Sequence, residues 1–553
     1  MNKQMTALST AMQAGRGALL VTALFSFVIN MLMLAGPLYM LQVYDRVLPS
    51  GNIDTLLALS IFLAGLFVVL GLLELVRSRL LSRIGARFEF EAAPALYSAI
   101  LRSRLTRETQ GSGRDITELT SLRDFISSNS LITLFDLPWL PVYLGILFLL
   151  HPWLAVLALF GAILLFVFAF ANARATTELV AEAAGIQRLG ERLSTSNQRN
   201  VEAITAMGMS SRMRDRWWRV HTRAFISRSE ATDRSAAYTA LSKTFRLALQ
   251  SAALGIAAAL VIRNEMTAGG MIAGTIILGR ALAPVDQAIS HWRGFVAARG
   301  SYGRISRLLR ANPEPIERLN HGAAHEQFEV KQLYAGPPQL KFPVLQGIRF
   351  TLSAGDALAV IGPSASGKST LARALTGVWP LRSGSVRLDG VPMNQWNGDE
   401  LGDQIGYLPQ DVELFDGTIA ENISRFRPNA PSDLIVAAAN AADVHDLVLS
   451  LADGYETEIG EGGCRLSAGQ CQRIGLARAI YGNPFLVVLD EPNASLDYAG
   501  ELALTSAVRG VRQAGGIVII AAHRPSALVA TNLVLVLEEG RQRAFGPRDD
   551  VLA

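Results

Sequence analysis

One stretch of the chain combines glycines, a lysine and hydroxyl side chains at a spacing that suits phosphate binding. Residues 362–370 match the pattern G-x-x-x-x-G-K-[ST]. The apolar residues 357–361 before them are typical of a strand, and residues 371–375 after them are typical of a helix. In that setting glycines let backbone N–H groups approach phosphate oxygens, and the helix N-terminus adds positive potential. The predicted phosphate loop consists of Gly362, Pro363, Ser364, Ala365, Ser366, Gly367, Lys368, Ser369 and Thr370.

Four side chains could act on a nucleoside triphosphate. The Lys368 ammonium would contact the β- and γ-phosphates, and the Ser369 hydroxyl would bind Mg²⁺. Residues 485–490 form an apolar run that ends in an acid, which is typical of a buried parallel strand with a carboxylate at its end. We expect Asp490 to hold Mg²⁺, directly or through water, and Glu491 to be the general base that polarises the attacking water.

Long apolar runs precede the part of the chain that contains these residues. Hydrophobic residues make up 50% of the 553 residues, and the excess lies in the first part of the chain. A membrane span needs about 20 mostly apolar residues. The third candidate span contains Asp136, Pro138 and Pro141, which are tolerated where they face protein or water. The six candidate spans are 18–41, 55–75, 131–150, 153–173, 247–262 and 266–289.

The distribution of arginine predicts the orientation in the membrane. The connections between spans two and three and between spans four and five are long and rich in arginine, whereas the others hold chiefly Arg46 and Arg263. Basic connections lie on the cytoplasmic side, so both termini are expected there. This asymmetry also accounts for the arginine content, and no nucleic-acid partner is expected. The long connections are predicted to be helices that continue beyond the membrane, with turns near 111–124 and 197–210.

Cysteine usage predicts neither a disulfide nor a metal site. The chain has two cysteines, Cys464 and Cys471, which do not form a C-x-x-C pair and lie in the part assigned to the cytosol. We expect no cleavable signal peptide, because the first apolar run is long and lacks a small-residue cleavage site.

The order of motifs resembles the nucleotide-binding domain of ATP-binding cassette (ABC) transporters. The phosphate loop is followed by Leu466-Ser-Ala-Gly-Gln470, Leu489-Asp-Glu-Pro492 and His523, and the resemblance covers residues 328–553. It implies an α/β P-loop domain with ATP and Mg²⁺ as cofactors. It also implies that Gln410 senses Mg²⁺ and the γ-phosphate, and that His523 is the switch histidine.

The run around Ser467 also makes chemical sense as a second phosphate site. Its small residues open a predicted helix whose N-terminus can face the γ-phosphate. The resemblance implies that Ser467, Gly469 and Gln470 make this contact across a dimer, so that two chains enclose two ATP molecules. Asp497 matches the D-loop, which also belongs to the nucleotide site. One copy of each motif implies a homodimer.

Three positions depart from the pattern of the family. The run 466–470 corresponds to the signature run of the family. In it, Ala468 replaces the usual second glycine but keeps a small side chain. Cys471 replaces the frequent basic or polar residue after Gln470. No obvious aromatic residue is present to stack on adenine, and Tyr334 is the candidate that we name.

The first part of the chain resembles type I secretion exporters, in the branch that exports metalloproteases and other repeats-in-toxin proteins. The resemblance covers most of residues 15–310 and includes Val43-Tyr-Asp-Arg-Val-Leu-Pro-Ser50, Asp136-Leu-Pro-Trp139 and the run 279–287. The run 489–493, Leu-Asp-Glu-Pro-Asn, supports the same branch.

Each of these membrane motifs taken alone also fits a packing role. In that alternative interpretation Tyr44 lies at an interface, Asp45 and Arg46 form a local pair, and Pro284 kinks a helix. The three motifs together favour the secretion exporters.

The resemblance implies the inner-membrane ATPase of a three-part secretion system. Its partners would be a second copy of the chain, a periplasmic membrane-fusion adaptor, an outer-membrane channel, the lipid bilayer and an unfolded polypeptide with a C-terminal signal. We expect no leader-peptidase domain, since only residues 1–17 precede the first span. The predicted fold is a polytopic α-helical membrane domain of the ABC exporter type fused to an α/β nucleotide-binding domain. The expected parts are a short N-terminus at 1–17, the membrane domain at 18–310, a linker at 311–327 and the ATPase domain at 328–553.

The predicted mechanism is ATP-driven alternating closure, in which ATP joins two nucleotide domains and hydrolysis lets them part. Two other functions remain open at this point. An exporter of lipids or small molecules shares the architecture. An ATP-gated membrane scaffold without transport is less consistent with Glu491, because a scaffold needs nucleotide binding but no turnover.

Overall fold

The computed structural model describes residues 13, 15–106, 115–313, 320–460, 466–494, 496–522 and 525–553. The chain forms two compact units. The helical unit contains residues 1–104 and 109–314, and the α/β unit contains residues 105–108 and 315–553.

The helical unit is built from long helices. Six helical stretches in its described part are long and apolar enough to cross a membrane, as the sequence predicts. They are Arg16–Ser50, Ile53–Leu105, Asn129–Leu150, Pro152–Arg199, Ser210–Ile262 and Ala268–Ala311. Four of them extend well beyond the apolar spans, which confirms that the basic connections are helical. The individual helices are α1 Arg16–Leu32, α2 Ala35–Gln42, α3 Leu48–Ser50, α4 Ile53–Thr106, α5 Asp115–Ser127, α6 Asn129–Asp136, α7 Leu140–Leu150, α8 Pro152–Arg199, α9 Val201–Ala206, α10 Ser210–Ile262 and α11 Ala268–Ala311.

Part of the first predicted turn, at 111–124, is helical instead. Residues 115–124 of the expected turn at 111–124 belong to α5, and residues 107–114 lie outside the described residues. The polar composition misled that prediction, because α5 is a helix with one buried side. In the second region a short α9 and the turn at Met207–Gly208 separate α8 from α10, as predicted.

Small residues let the membrane helices approach closely. A Cβ on Gly161 of α8 would lie 2.6 Å from a methyl carbon of Leu249 in α10. Ala253 and Ala257 of α10 are fully buried in the same core, beside Leu282 of α11. Close approach through small residues is a common way to pack helices in lipid, where no hydrophobic effect drives them together.

Asp136, the charged residue of the third span, faces protein, as expected, whereas Pro138 and Pro141 are exposed. The Asn30 amide donates to Oδ1 of Asp136 at 2.8 Å, and the Arg77 guanidinium lies 3.4 Å from the same oxygen. The Tyr143 hydroxyl donates to Oδ1 of Asn30 at 3.0 Å. The cost of a carboxylate in the membrane is thus offset by an internal polar network that joins α1, α4 and the third span.

The α/β unit is built on two larger sheets. The six-stranded sheet has the order β12-β11-β3-β10-β9-β6, in which β12 is antiparallel to β11 and the other pairs are parallel. An antiparallel sheet has the order β2-β1-β4-β5, and β7 pairs with β8. The strands are β1 Gln327–Ala335, β2 Leu345–Ser353, β3 Ala357–Ile361, β4 Ser383–Leu388, β5 Val391–Pro392, β6 Ile405–Leu408, β7 Gly417–Thr418, β8 Glu458–Ile459, β9 Leu486–Asp490, β10 Ile517–Ala521, β11 Leu533–Glu538 and β12 Arg541–Pro547.

Helices cover the parallel sheet and bury its strands. All five residues of β9 and all five of β10 are buried, which is why both read as continuous apolar runs. The helices of this unit are α12 Lys368–Leu375, α13 Gly398–Gln404, α14 Ile419–Ile423, α15 Ser432–Ala441, α16 His445–Leu449, α17 Ala468–Ile480, α18 Tyr498–Gln513 and α19 Arg548–Leu552. The parallel arrangement brings the carboxyl ends of β3, β9 and β10 to one edge.

Candidate functional site

The phosphate loop joins β3 to α12 and depends on two glycines. Gly362 has φ of 155°, and a Cβ there would lie 2.1 Å from the Leu537 carbonyl oxygen. Gly367 has φ of 104°, and a Cβ there would lie 2.8 Å from a methyl carbon of Leu345. Neither position can take a side chain without displacing its neighbours. The nine residues of the predicted loop, 362–370, therefore form the strand–turn–helix connection that phosphate binding requires.

The side chain of Lys368 lies over the phosphate loop to which the residue belongs. Its Nζ donates to the carbonyl oxygens of Gly362 and Pro363 at 2.9 and 3.0 Å. Burial lowers the pKa of Lys368, while the nearby charges of Glu491 and Asp490 act to raise it. The ammonium is thus held within the curve of the loop, at a position from which it can contact phosphate oxygens.

Asp490 at the end of β9 has the environment of a metal ligand. Its Oδ1 accepts a hydrogen bond from the Ser369 hydroxyl at 3.0 Å, and the residue is fully buried. Its Oδ2 is buried without a hydrogen-bond partner in the described part of the chain. Burial raises the pKa of Asp490, and the Ser369 hydrogen bond opposes this effect. An unpartnered carboxylate oxygen beside a hydroxyl fits a hard cation such as Mg²⁺.

Glu491 follows directly but has a different setting. Its backbone adopts φ of 51°, and its N–H donates to the Ala521 carbonyl of β10 at 2.9 Å. The Gln410 amide, two residues beyond the end of β6, donates to Oε2 of Glu491 at 3.0 Å. A left-handed backbone is rare for a residue with a side chain and is common where geometry serves a function. The two predicted catalytic residues Gln410 and Glu491 are therefore in direct contact.

The signature run forms the start of α17, as predicted. The Ser467 hydroxyl accepts from the backbone N–H of Gln470 at 3.3 Å, and the Gln470 side chain accepts from the N–H of Ser467 at 2.8 Å. This capping box fixes the first turn, which contains Ala468 and Gly469. Cys471 follows in the helix, and burial raises the pKa of its thiol.

Asp497 caps a different helix. Its Oδ1 accepts from the N–H of Gly500 at 2.9 Å, at the start of α18, and from the Arg473 guanidinium at 2.8 Å. These hydrogen bonds lower the pKa of Asp497, and the bond from the Gly500 N–H has the largest effect. Sequence reasoning assigned Asp497 to the nucleotide site and missed its partner Arg473, three residues after Gln470. The pair joins α17 to α18.

A second contact joins α17, which begins in the signature run 466–470, to the residues that follow β9. The buried Gln472 of α17 donates through its side chain to the carbonyl of Pro492, the residue after Glu491. The sequence signal for Gln472 is its place just after the signature run, but nothing local predicts its partner.

The assignment of the adenine contact stays a prediction. Tyr334 lies in β1 opposite Ser383 of β4, and its hydroxyl would be 3.5 Å from a Cβ on Gly347. Sequence reasoning missed Phe342, which is 81% exposed in the connection between β1 and β2. That connection leads to Val344, whose side chain would be 3.6 Å from a Cβ on Gly367. Phe342 is thus an aromatic residue two positions before a side chain that packs beside Gly367 of the loop.

Some of the predicted site residues form one connected group, and the others lie apart from it. Lys368, Ser369, Asp490, Glu491 and Gln410 meet at the edge where β3 and β9 end. The signature turn and Asp497 have their hydrogen bonds within or beside α17 and α18. His523 lies outside the described residues.

Comparison with known proteins places this site in a family. The ABC transporter family matches residues 345–494, and the ABC transporter transmembrane region matches residues 19–282. The Type I secretion system ATP-binding protein PrsD of Rhizobium meliloti (strain 1021) is 48% identical over 98% of this chain and 94% of its own length. The chain belongs to the ABC transporters of type I secretion systems. As a member of this family it is a multi-pass membrane protein that binds ATP and couples ATP hydrolysis to transport.

More distant relatives agree with this placement. The Cyclolysin secretion/processing ATP-binding protein CyaB of Bordetella pertussis is 26% identical over 96% of this chain and 75% of its own length. The Leukotoxin translocation ATP-binding protein LktB of Mannheimia haemolytica is 26% identical over 97% of this chain and 76% of its own length. The solved structure of a bacterial Atm1-family ABC exporter with ATP bound has a TM-score of 0.83 at 22% identity and covers 97% of this chain and 96% of that one. It shows that this transporter has the ABC exporter fold.

Proposed function

We propose that two copies of the chain form a homodimer that uses ATP hydrolysis to export an unfolded polypeptide with a C-terminal signal, of the repeats-in-toxin or protease type. The observation that carries the proposal is the contact set at the end of β9, where Ser369 bonds Asp490 and Gln410 bonds Glu491. Those contacts provide separate groups for binding a metal–nucleotide complex and for activating water. A scaffold that only binds ATP has no need of the second group.

Each residue of the site has a stated role in this proposal. Ser369 and Asp490 would hold Mg²⁺, and Gln410 would sense it together with the γ-phosphate. When bound, the ion neutralises charge that develops on the phosphates. Glu491 orients the attacking water and takes its proton, while Lys368 contacts the β- and γ-phosphates.

The dimer completes each nucleotide site. The first turn of α17, with Ser467, Gly469 and Gln470, faces the γ-phosphate held by the partner copy, because the N–H groups of a helix N-terminus favour an anion. Asp497, Tyr334 and His523 are assigned to the same composite site. ATP binding joins the two nucleotide domains, and hydrolysis lets them part.

The polypeptide substrate and the partners rest on the relatives. The names of CyaB and LktB associate them with secretion of cyclolysin and translocation of leukotoxin. By analogy we assign this transporter to the bacterial inner membrane, with a periplasmic membrane-fusion adaptor and an outer-membrane channel as partners. The arginine-rich helical extensions support an orientation with both termini and the ATPase domain in the cytoplasm. The division at 1–17, 18–310, 311–327 and 328–553 is part of this proposal.

The test is the ATPase rate of the purified chain with and without a C-terminal signal segment of a repeats-in-toxin protein. We expect the segment to change the rate in a saturable way, and a scrambled segment of the same composition to have no effect. Glu491→Gln would be the control for contaminating ATPases. A response to lipids or drugs with none to any signal segment would contradict the proposal and favour a small-molecule exporter.

A further inference from the structure

Two membrane helices of this transporter share a polar face. A cavity of about 610 Å³ opens between α10 and α11. On α10 its polar lining is Arg246, Gln250 and Ser251, and on α11 it is Thr275 and Arg280. The rest of the lining is apolar, and on each helix the polar and apolar lining residues together recur at spacings of three to four residues, so they form one stripe. An arginine-containing stripe along two membrane helices requires an explanation.

The stripe lies deep in the membrane span. Arg280 is about 18 Å along the helix axis from Ala268, where α11 begins, at about 1.5 Å per residue. Gln250 lies about 18 Å before Ile262, where α10 ends. Because the hydrocarbon core is about 30 Å thick, Arg280 is near its middle. A Cβ on Gly279 would lie 2.2 Å from Nε2 of Gln250, so the two helices are in close contact at this depth.

The two arginines of the stripe differ in their partners. Arg246 lies 3.4 Å from Oδ2 of Asp286, whose other carboxylate oxygen accepts from the Ser242 hydroxyl at 2.5 Å. Arg280 is exposed, and among the described residues its one hydrogen bond is to the thioether sulfur of Met33 at 3.6 Å. In the described part of the chain no carboxylate lies within ion-pair distance of Arg280. The positive charge of Arg246 is therefore balanced within the chain, and that of Arg280 is not.

An unbalanced arginine at this depth cannot face lipid tails at low cost. Charged residues in membrane spans face a water-filled path or a polar partner. Arg280 lines the cavity with an exposed side chain, and the half-buried Gln250 amide lines it as well, over the backbone of Gly279. The stripe thus has the features of one wall of a polar path through the membrane.

We propose that Arg280 and Gln250 form a contact site for the polypeptide as it crosses the membrane. In this site Arg280 binds the carboxylates of acidic side chains, and Gln250 exchanges hydrogen bonds with the peptide groups of an extended chain. A guanidinium suits carboxylates through its fork of donors, and an amide has both a donor and an acceptor for peptide groups. The inference rests on the proposed polypeptide export and adds that acidic segments are favoured in the path.

The experiment uses reporter polypeptides that share one repeats-in-toxin C-terminal signal and differ in an unfolded insert of Glu-Gly-Ser, Gln-Gly-Ser or Lys-Gly-Ser repeats. Each is expressed with the full-length chain, its adaptor and its channel, and the secreted fraction is measured. For Arg280→Glu we expect secretion of the Glu insert to fall about tenfold relative to the Gln insert, because like charges then meet in the path. Secretion of the Lys insert should rise relative to the Gln insert. Arg280→Gln should reduce the preference for the Glu insert without reversing it.

Arg263→Glu is the matched control, since Arg263 is exposed in the short turn after α10 and lies outside the cavity. It should leave the ratio between inserts unchanged. A photo-crosslinking residue at position 280 or 250 should capture a stalled reporter, and one at position 263 should not. Equal effects of Arg280→Glu on all three inserts, or no crosslink at either position, would overturn the contact site while export itself stands. If the unmodified chain secretes none of the reporters, the proposed function and this inference both fail.

Discussion

Two adjacent carboxylates at the end of β9 have opposite environments. Asp490 completes the strand, is fully buried and shares a hydrogen bond with Ser369. Glu491 leaves the strand with φ of 51°, and its carboxylate accepts a hydrogen bond from Gln410, two residues beyond the end of β6. A residue fixed in the core suits the binding of an ion, whereas one held at the edge by an amide can approach water. The change of backbone conformation between the two residues thus separates the two roles proposed for them.

Replacing Glu491 by glutamine tests the second role. Glu491→Gln removes the base but keeps the shape and an acceptor for Gln410, so we expect nucleotide binding to be retained and hydrolysis to fall by about 10²–10⁴-fold. Binding of a fluorescent ATP analogue and phosphate release would be measured on the same sample. Glu413→Gln, which changes an exposed glutamate of the same unit, should hydrolyse ATP at the normal rate. A Glu491→Gln chain that hydrolyses near the wild-type rate would show that Glu491 is not the base.

Lys368 is expected to contribute to the affinity for ATP. Lys368→Ala removes the ammonium that lies over the carbonyl oxygens of Gly362 and Pro363. Since hydrogen bonds to charged groups are worth about 1.5–3 kcal/mol, we expect ATP affinity to fall by at least about tenfold and secretion to stop. Titration with an ATP analogue measures this directly. Lys341→Ala, an exposed lysine before β2, is the control and should bind normally; equal affinity of the two variants would argue against the phosphate-loop assignment.

At the scale of elements, one aspartate organises the start of the α/β unit. The carboxylate of Asp389 accepts from the backbone N–H groups of His325, Glu326 and Gln327 at 2.7, 3.0 and 2.8 Å. Burial acts to raise the pKa of Asp389, but these three donors outweigh it and lower the pKa. The group therefore stabilises the unit above the ordinary pKa of an aspartate, and this contribution is lost as the pH falls through its lowered value.

Asp389→Asn should destabilise the α/β unit by about 1 kcal/mol near neutral pH, because a neutral amide oxygen accepts more weakly than a carboxylate. That corresponds to a fall of about 2–4 °C in the unfolding midpoint of a unit of this size. The difference from the wild type should begin to shrink as the pH falls below about 4, the ordinary pKa of an aspartate, and should disappear once the pH passes the lowered pKa of Asp389, where its carboxylate becomes protonated. Thermal unfolding of the full chain at several pH values would be the measurement. Asp453→Asn, at an exposed turn, should show no such shift; a pH-independent difference for Asp389→Asn would contradict the assignment.

Elements with a strong local pattern could be predicted, and contacts between distant segments could not. The strand–loop–helix around Gly362–Lys368 and the six apolar spans follow from short-range spacing and composition. Asp45 shows the limit. The sequence left open a local pair with Arg46, yet its carboxylate oxygens accept from the Thr267 hydroxyl at 2.6 Å and the N–H of Gly269 at 2.7 Å. This cap on α11 joins residues that no local pattern relates.

The site shows the same division. Residue type and spacing predicted Lys368, Ser369 and Asp490 as members of one site, and the structure brings these three residues together at the ends of β3 and β9. The partner of Asp497 was missed, since the Arg473–Asp497 contact depends on how α17 packs beside α18. Register between helices is a property of side-chain packing over the whole unit, and a single sequence carries no direct record of it.

At the scale of the whole molecule, the proposed homodimer leads to an experiment that distinguishes two arrangements of the site. If the signature turn acts on the ATP of the partner copy, a mixed dimer of Lys368→Ala and Gly469→Asp chains keeps one intact site. The negative charge of Gly469→Asp at the N-terminus of α17 would repel phosphate. A mixed dimer of the wild type with the Lys368→Ala, Gly469→Asp double variant keeps none.

Differently tagged copies, purified by both tags in turn, would give these two mixed dimers for ATPase measurements. We expect the dimer of single variants to retain a substantial part of the wild-type rate and the dimer with the double variant to be inactive. The opposite result, activity only with the double variant, would mean that loop and signature act within one chain. Both dimers contain the same two substitutions, so a general loss of stability cannot produce the difference, and only the pairing of the phosphate loop with the signature turn distinguishes them.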